Sequence, residues 1–423
     1  MPPVSAELHT LPHAVFLRRV SAARSPEASD SRLGQGAFLA LRLIDLLGPE
    51  SGIAHPDAFE YQWTATDRFC RGLAPSTESA HLRELVSSAI AAYRSDDISL
   101  VTPAFFAYAH FLEDGLYLEE ALDVLDTLRR IAGQRLSRAD AVALCLREGR
   151  VNRKMNRFDS AEASYLEACT RARAANDRYS ELLGRIGRAN TFLGRGNLPE
   201  SERQLTEVLR DAHKAGLREA EARAEHGLGA VLQYRGSPDL ALKHLWNAFE
   251  LYEERESQVR ALADVGLMLL MLGDSTAARR ALQDVVRRAK SRDALANAQV
   301  ELMHCASYER DRFGFERWRS RCEEIKQNMP PNILADYYLK VGIGEARFGL
   351  FRRAAASLEK SLEIAEKAGL NALVFTVERI KAGLPACEQA AVGTAFEEDQ
   401  TLVDSEELRE VSASLAQLIP EPA

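Results

Sequence analysis

Long hydrophobic runs are missing from this 423-residue chain. The longest, VGLMLLMLG from Val265 to Gly273, is far short of the roughly 18 residues that cross a bilayer, and it reads as a buried helix. The N-terminus, MPPVSAELHTLPHAVFLRRV, has neither the basic start nor the apolar stretch of roughly 7 to 15 residues that marks a secretory signal, so export is not expected. Cysteine is sparse: Cys70, Cys145, Cys169, Cys305, Cys322 and Cys387 never fall at CxxC spacing. That pattern argues against a structural zinc and fits a reducing, cytoplasmic compartment, with the thiols as small apolar fillers. An excess of positive charge is missing too, since 62 acidic residues against 54 basic leave a net charge of −8. The chain as a whole therefore lacks the footprint of a nucleic-acid binder, although a local basic surface stays open. Proline is scarce, at 15 residues, while Ala, Leu, Glu and Arg are plentiful, which favours helix over sheet or disorder.

The signatures of common chemistry are also absent. There is no P-loop, HExxH, GxSxG or nucleotide-binding GxGxxG, and the nine histidines are scattered singly. A catalytic histidine needs a convergent partner, and none stands at local spacing. No enzymatic role, metal or cofactor is expected.

What is present is a repeat. The stretch NRFDSAEASYLEACTRARAAND, Asn156 to Asp177, places Phe158, Ala161, Tyr165 and Ala168 at helical spacing. With Ala161 as anchor, equivalents recur at Ala121, Ser201, Ala241, Ala278 and Ala354, and Trp318 takes the anchor of the most degenerate unit. A small residue lies twelve positions before each: Ala109, Gly149, Ala189, Gly229, Gly266, Ala306 and Gly342. Two helices cross closely only where such a residue keeps their backbones from being held apart. Five positions before most anchors stands a turn residue, Asn156, Gly196, Gly236, Gly273 or Gly349. Each unit therefore reads as helix, short turn, helix.

These residues resemble the tetratricopeptide repeat (TPR) family, whose units carry a small residue in the first helix, a turn glycine, an aromatic after it, an alanine, an aromatic or leucine four on, and a small residue three further. The last unit supplies Gly342, Gly349, Phe351, Ala354, Leu358 and Ser361 in that order. The period near 40 exceeds the family's usual 34 or so, as in bacterial sensors and regulators. The resemblance implies an all-α fold, a right-handed α-α superhelix (TPR solenoid) with an N-terminal helical cap or bundle. It also implies that first helices line a concave groove.

The organisation expected is a flexible arm over 1–30 and a helical cap or three-helix bundle over 31–96. A TPR array of about seven repeats plus a cap helix follows over 97–384, and an acidic, partly disordered tail over 385–423. Within the tail, DSEELREVSASLAQLI joins a capping signal to Leu408, Val411, Leu415 and Leu418 at helical spacing. It reads as a docking helix or as a tail with transient helicity.

The groove candidates are the first-helix residues that are neither small nor apolar. They are Arg147, Arg150 and Lys154, then Asn190, then Arg223 and His226, then Arg260, and later Lys340 and Arg347. Most are basic, so the expected partner is a protein or peptide of acidic character, held through charge-assisted hydrogen bonds, with Asn190 bonding a peptide backbone. Neither a membrane nor nucleic acid is expected as partner. The function expected is a cytoplasmic, bacterial adaptor or regulatory sensor; the alternative is a constitutive structural subunit of a larger complex. Charge complementarity further suggests that the acidic tail occupies the basic groove until a partner displaces it.

Overall fold

The computed structural model describes residues 11–22, 28–48, 56–393 and 405–418. Among them are twenty α-helices and no strand, in two compact units, 1–197 and 198–423.

The first unit holds α1 (Ala14–Ala22), α2 (Ser29–Asp45), α3 (Pro56–Arg71), α4 (Thr77–Ser95), α5 (Thr102–Asp114), α6 (Leu118–Ala132), α7 (Arg138–Lys154), α8 (Phe158–Ala174) and α9 (Arg178–Gly194). Helix α4 opens with a capping box in which Ser76 and Ser79 satisfy each other's backbone N–H groups. Its apolar stripe, with that of α2, closes a core around Leu41, Ile44, Leu82 and Val86, all buried.

The described part of the expected flexible arm, residues 11–22, is instead fixed to this core. Phe16 is fully buried, and Arg19 grips the buried Glu78 through two nitrogens at 2.6 and 2.8 Å while also reaching Asp30. The Tyr108 hydroxyl donates to the same Glu78 at 3.0 Å. His13 sits between Asp123 at 2.6 Å and Asp45 at 3.0 Å. Serine- and proline-rich composition suggested mobility, but one aromatic anchor and two charged residues with buried partners were enough to order the helix.

The second unit holds α10 (Leu198–Ala215), α11 (Arg218–Arg235), α12 (Pro238–Leu251), α13 (Arg255–Met271), α14 (Ser275–Arg288), α15 (Arg292–Tyr308), α16 (Arg312–Ile325), α17 (Pro331–Arg347), α18 (Phe351–Lys367), α19 (Asn371–Gly393) and α20 (Glu406–Leu418). The pairs α11/α12, α13/α14, α15/α16 and α17/α18 pack as hairpins, as do α5/α6 and α7/α8 in the first unit. In the four hairpins with glycine at the small first-helix position, that residue and the side chain four past the anchor form the same contact. A Cβ added to Gly229 would lie 2.6 Å from Leu245, at Gly266 2.9 Å from Leu282, at Gly342 2.8 Å from Leu358 and at Gly149 2.8 Å from Tyr165. No side chain fits there, so the close helix crossing depends on glycine. At the turns, Gly236 has φ of 82° and Asn156 fills the same left-handed position at 58°.

Two features differ from the sequence reading. In the degenerate unit the left-handed turn residue is Arg310, with φ of 56°, and α16 begins at Arg312. The structural anchor is thus Phe315, 1% exposed, three residues before Trp318. A bulky residue where alanine was expected hid the register. At the C-terminal end, α19 runs unbroken through Pro385 to Gly393, so the tail does not begin at 385. The acidic residues Glu397, Glu398, Asp399 and Asp404 lie outside the described residues.

Candidate functional site

In the second unit the successive first helices α13, α15 and α17 lie side by side, and polar side chains at matching steps of the repeat meet across them. Fourteen residues before their anchors, Ala278, Phe315 and Ala354, stand Asp264, Glu301 and Lys340. On α11, His226 places Nε2 2.7 Å from Asp264 Oδ2 of α13 and Nδ1 3.1 Å from the Tyr252 hydroxyl. On α17, Lys340 pairs with Glu301 of α15 and donates to Asp336 of its own helix at 2.8 Å. Arg347, one α17 face further, stacks its guanidinium 3.9 Å from the Tyr308 ring and donates to Ser307 at 2.9 Å.

Burial sets the charge states. Desolvation pushes the Glu301 carboxyl above its ordinary range, with Asp336 and Asp264 adding to the shift and Lys340 opposing it. Lys340 is itself held above its ordinary value, because Asp336 and Glu301 outweigh its desolvation. His304, one turn beyond Glu301, is driven well below the usual histidine range by burial and by the cations Lys340 and Arg347, so its ring is neutral near pH 7. Glu301 Oε2 and His304 Nδ1 are buried polar atoms with no hydrogen bond, which is the costly state for such atoms. With the His304 proton on Nε2, the ladder from Tyr252 to Arg347 therefore offers two acceptors and can take donors.

Every sequence candidate lies on a first helix, and several of the cations are paired with neighbouring side chains. Arg223 pairs with Glu219 at 2.9 Å, and Arg260 donates to Ser257 at 2.9 Å. In the first unit Arg150 and Lys154 converge on the buried Glu113 at 2.5 and 2.7 Å. Burial alone would raise that carboxyl, yet the two cations bring it below its usual range. Arg147 lies over the Phe106 ring at 4.7 Å. Asn190 is half-buried on α9. The acids Glu113, Glu219, Asp264, Glu301 and Asp336, and the neutral His304, were missed because only cations were sought. Glu219, Asp264 and Asp336 stand one turn from Arg223, Arg260 and Lys340 on the same helices, while Glu113 and Glu301 lie on the preceding first helices.

Beside Arg347, a cavity of about 400 Å³ is lined by Ile343, Phe351, Ile380 and Leu384, with Arg310 and Cys387. Among the described residues no cluster of three or more His, Cys, Asp or Glu has the geometry to hold a metal ion, and no helix is long and apolar enough to cross a membrane.

Antiparallel helix pairs repeated around glycine contacts define this molecule as an α-helical repeat protein. The resemblance to the TPR family holds: residues 220–291, from α11 through α14, match the family model Tetratricopeptide repeat. No curated protein sequence matches the chain. Among solved structures, the Rap conjugation gene regulator of plasmid pLS20, in complex with the Phr* peptide, aligns at a TM-score of 0.51 and 11% identity over 78% of this chain and 97% of that one. The apo quorum sensor NprR of B. thuringiensis aligns at 0.47 and 12%, over 85% and 95%. Aspartyl phosphate phosphatase F of Bacillus subtilis aligns at 0.47 and 12%, over 81% and 95%. At these identities the first of them supports the fold.

Proposed function

We propose that the chain is a peptide-binding regulatory protein, in which the first-helix ladder of the second unit takes an extended peptide. The observation that carries this reading is the pair of buried polar atoms Glu301 Oε2 and His304 Nδ1, left without hydrogen-bond partners beside the Lys340 pair, with the His304 proton taken to be on Nε2. Backbone N–H groups of a bound peptide would supply the missing donors, and the apolar cavity beside Arg347 would take one of its side chains. The sequence candidates on this unit, Arg223, His226, Arg260, Lys340 and Arg347, hold the ladder in place. Arg147, Arg150, Lys154 and Asn190 belong to a separate polar face in the first unit. The Rap structure in complex with the Phr* peptide has the same fold, which agrees with this reading without assigning the peptide. Because the cations are already paired, acidity of the ligand is no longer required.

The test is capture of peptides from the secreted peptide fraction of the source organism, followed by resynthesis and titration. Captured peptides should bind the intact chain, and Glu301→Gln or His304→Ala should weaken them about tenfold or more while circular dichroism is unchanged. Equal affinity for both variants, or no captured peptide, would refute the reading. The alternative, a constitutive subunit, draws on Phe313 at 92% and Tyr234 at 70% exposure, both at hairpin turns. It would gain from a fixed protein partner lost on substitution of those two.

A further inference from the structure

The described part of the acidic C-terminal segment does not lie on the first-helix ladder, which corrects the expectation that the tail fills that face. Helix α20 packs instead on α12 and α14, two second helices. It meets them along one stripe: Leu408, Val411 and Leu415 are buried, while Glu406, Arg409, Glu410 and Gln417 are exposed. Ser405 caps the helix, accepting from the Leu408 N–H at 3.1 Å. One polar tie to the array is the Ser412 hydroxyl, which donates to Asp274 Oδ2 at 2.8 Å. Asp274 is itself the N-cap of α14, and its other oxygen accepts from the Ala277 N–H.

The receiving surface is shaped for a helix. On α14 the positions one before and three after the anchor are Ala277 and Ala281, both buried. At the same steps α8 has Ser160 and Ser164, α12 has Leu240 and His244, and α18 has Arg353 and Ser357, none of them buried, while α16, counted from Phe315, has Gly314 and the bulky Trp318, both buried. Two alanines let a helix backbone approach as a longer side chain would not. The thirteen residues of α20 are too few to hold a helix alone in water, so its helical form depends on this surface.

We propose that the face of α12 and α14 is an acceptor site for an amphipathic helix of a protein partner, and that α20 occupies it in cis. The partner helix would place branched apolar residues at i, i+3 and i+7, with a small hydroxyl or amide donor at i+4 for Asp274. The tether is short, residues 394–404, and keeps α20 at an effective concentration on the order of millimolar. A helix of micromolar affinity then binds well only after α20 is displaced. This site is independent of the first-helix ladder and of any peptide there.

The experiment uses the full chain and a fluorescein-labelled peptide copying residues 405–418. Leu408→Asp, Val411→Asp and Leu415→Asp together release α20. Ser412→Glu, which sets a carboxylate against Asp274, releases it with no change to the apolar stripe. By fluorescence anisotropy both released chains should bind the peptide at least tenfold more tightly than wild type. Adding Ala281→Glu to either should abolish that gain, with circular dichroism showing the array intact. Equal affinity for wild type and Ser412→Glu, or no binding to the released chains, would overturn the proposal. A wild-type mass that doubles with concentration and reverts in the Leu408/Val411/Leu415 variant would also overturn it, since the partner would then be a second copy exchanging α20.

Discussion

Replacing Lys340 with Met tests the electrostatic structure of the ladder. The lysine is 12% exposed and its partners Glu301 and Asp336 are 14% and 28% exposed, so removal of the ammonium leaves two carboxylates facing each other with little water. Breaking a fully buried pair costs about 3–5 kcal/mol; with Asp336 partly solvated, a loss of about 2–4 kcal/mol at pH 7 is expected. The variant should regain stability as pH falls. Desolvation already raises Glu301 above its ordinary range with the lysine present, and without it the carboxyl rises further. A carboxyl whose folded pKa exceeds its unfolded value binds more protons folded than unfolded, so unfolding free energy increases toward acid through that window. Lys340→Met with Glu301→Leu should recover most of the loss, because the remaining Asp336 reaches solvent. Urea unfolding by circular dichroism at pH 7 and pH 5 measures all three chains. A loss below about 1 kcal/mol at pH 7, or no recovery in the double variant, would refute the reasoning.

Gly229→Ala should destabilise the α11/α12 hairpin although alanine is the better helix former by about 1 kcal/mol, since the new methyl would stand 2.6 Å from the buried Leu245; the melting temperature should fall, and the further fall that Gly229→Ala causes in a Leu245→Ala background should be smaller. Under native conditions a thiol reagent should label Cys387 rapidly and the other five slowly, because Cys387 is exposed and the rest are buried, with burial pushing Cys70 and Cys322 up to about 12 and Cys145 up to about 11; mass spectrometry of the labelled protein counts them. His13 is lowered by burial but raised more by Asp123 and Asp45, for a net rise, so the stability it gives is complete below pH 6.5 and lost as pH climbs through its folded value. The unfolding midpoint of wild type should therefore fall relative to His13→Gln between pH 6.5 and 9.

The helices and their pairing were legible because a glycine contact leaves a fixed trace in sequence: Gly229, Gly266 and Gly342 each sit twelve residues before an anchor, and each touches the leucine four after it. The register failed only at Phe315, where a large residue took the place of alanine, and Ala306 happened to stand at the expected distance from Trp318. The ladder was half legible. Its cations lie on the helices where they were placed, but a charge read alone says nothing of its neighbour 37 to 39 residues away, and His226 with Asp264, like Glu301 with Lys340, meets across such a gap. Order in residues 14–22 was not legible from composition, since it rests on Arg19 finding Glu78 fifty-nine residues on.

The two kinds of helix in each hairpin divide the molecule's surface chemistry. First helices of the second unit meet one another through charge pairs, and any ligand there must improve on contacts the array already makes; two unfilled acceptors mark where that improvement is available. Among second helices, α8 and α18 carry Ser or Arg at the steps where α14 has two buried alanines, and α20 lies on α12 and α14. One face is selective through satisfied polarity, and the other through shape. The two proposed sites use different side chains, because Asp274, at the start of α14, bonds α20, and Asp264, ten residues earlier on α13, bonds His226. Those two residues belong to the same hairpin.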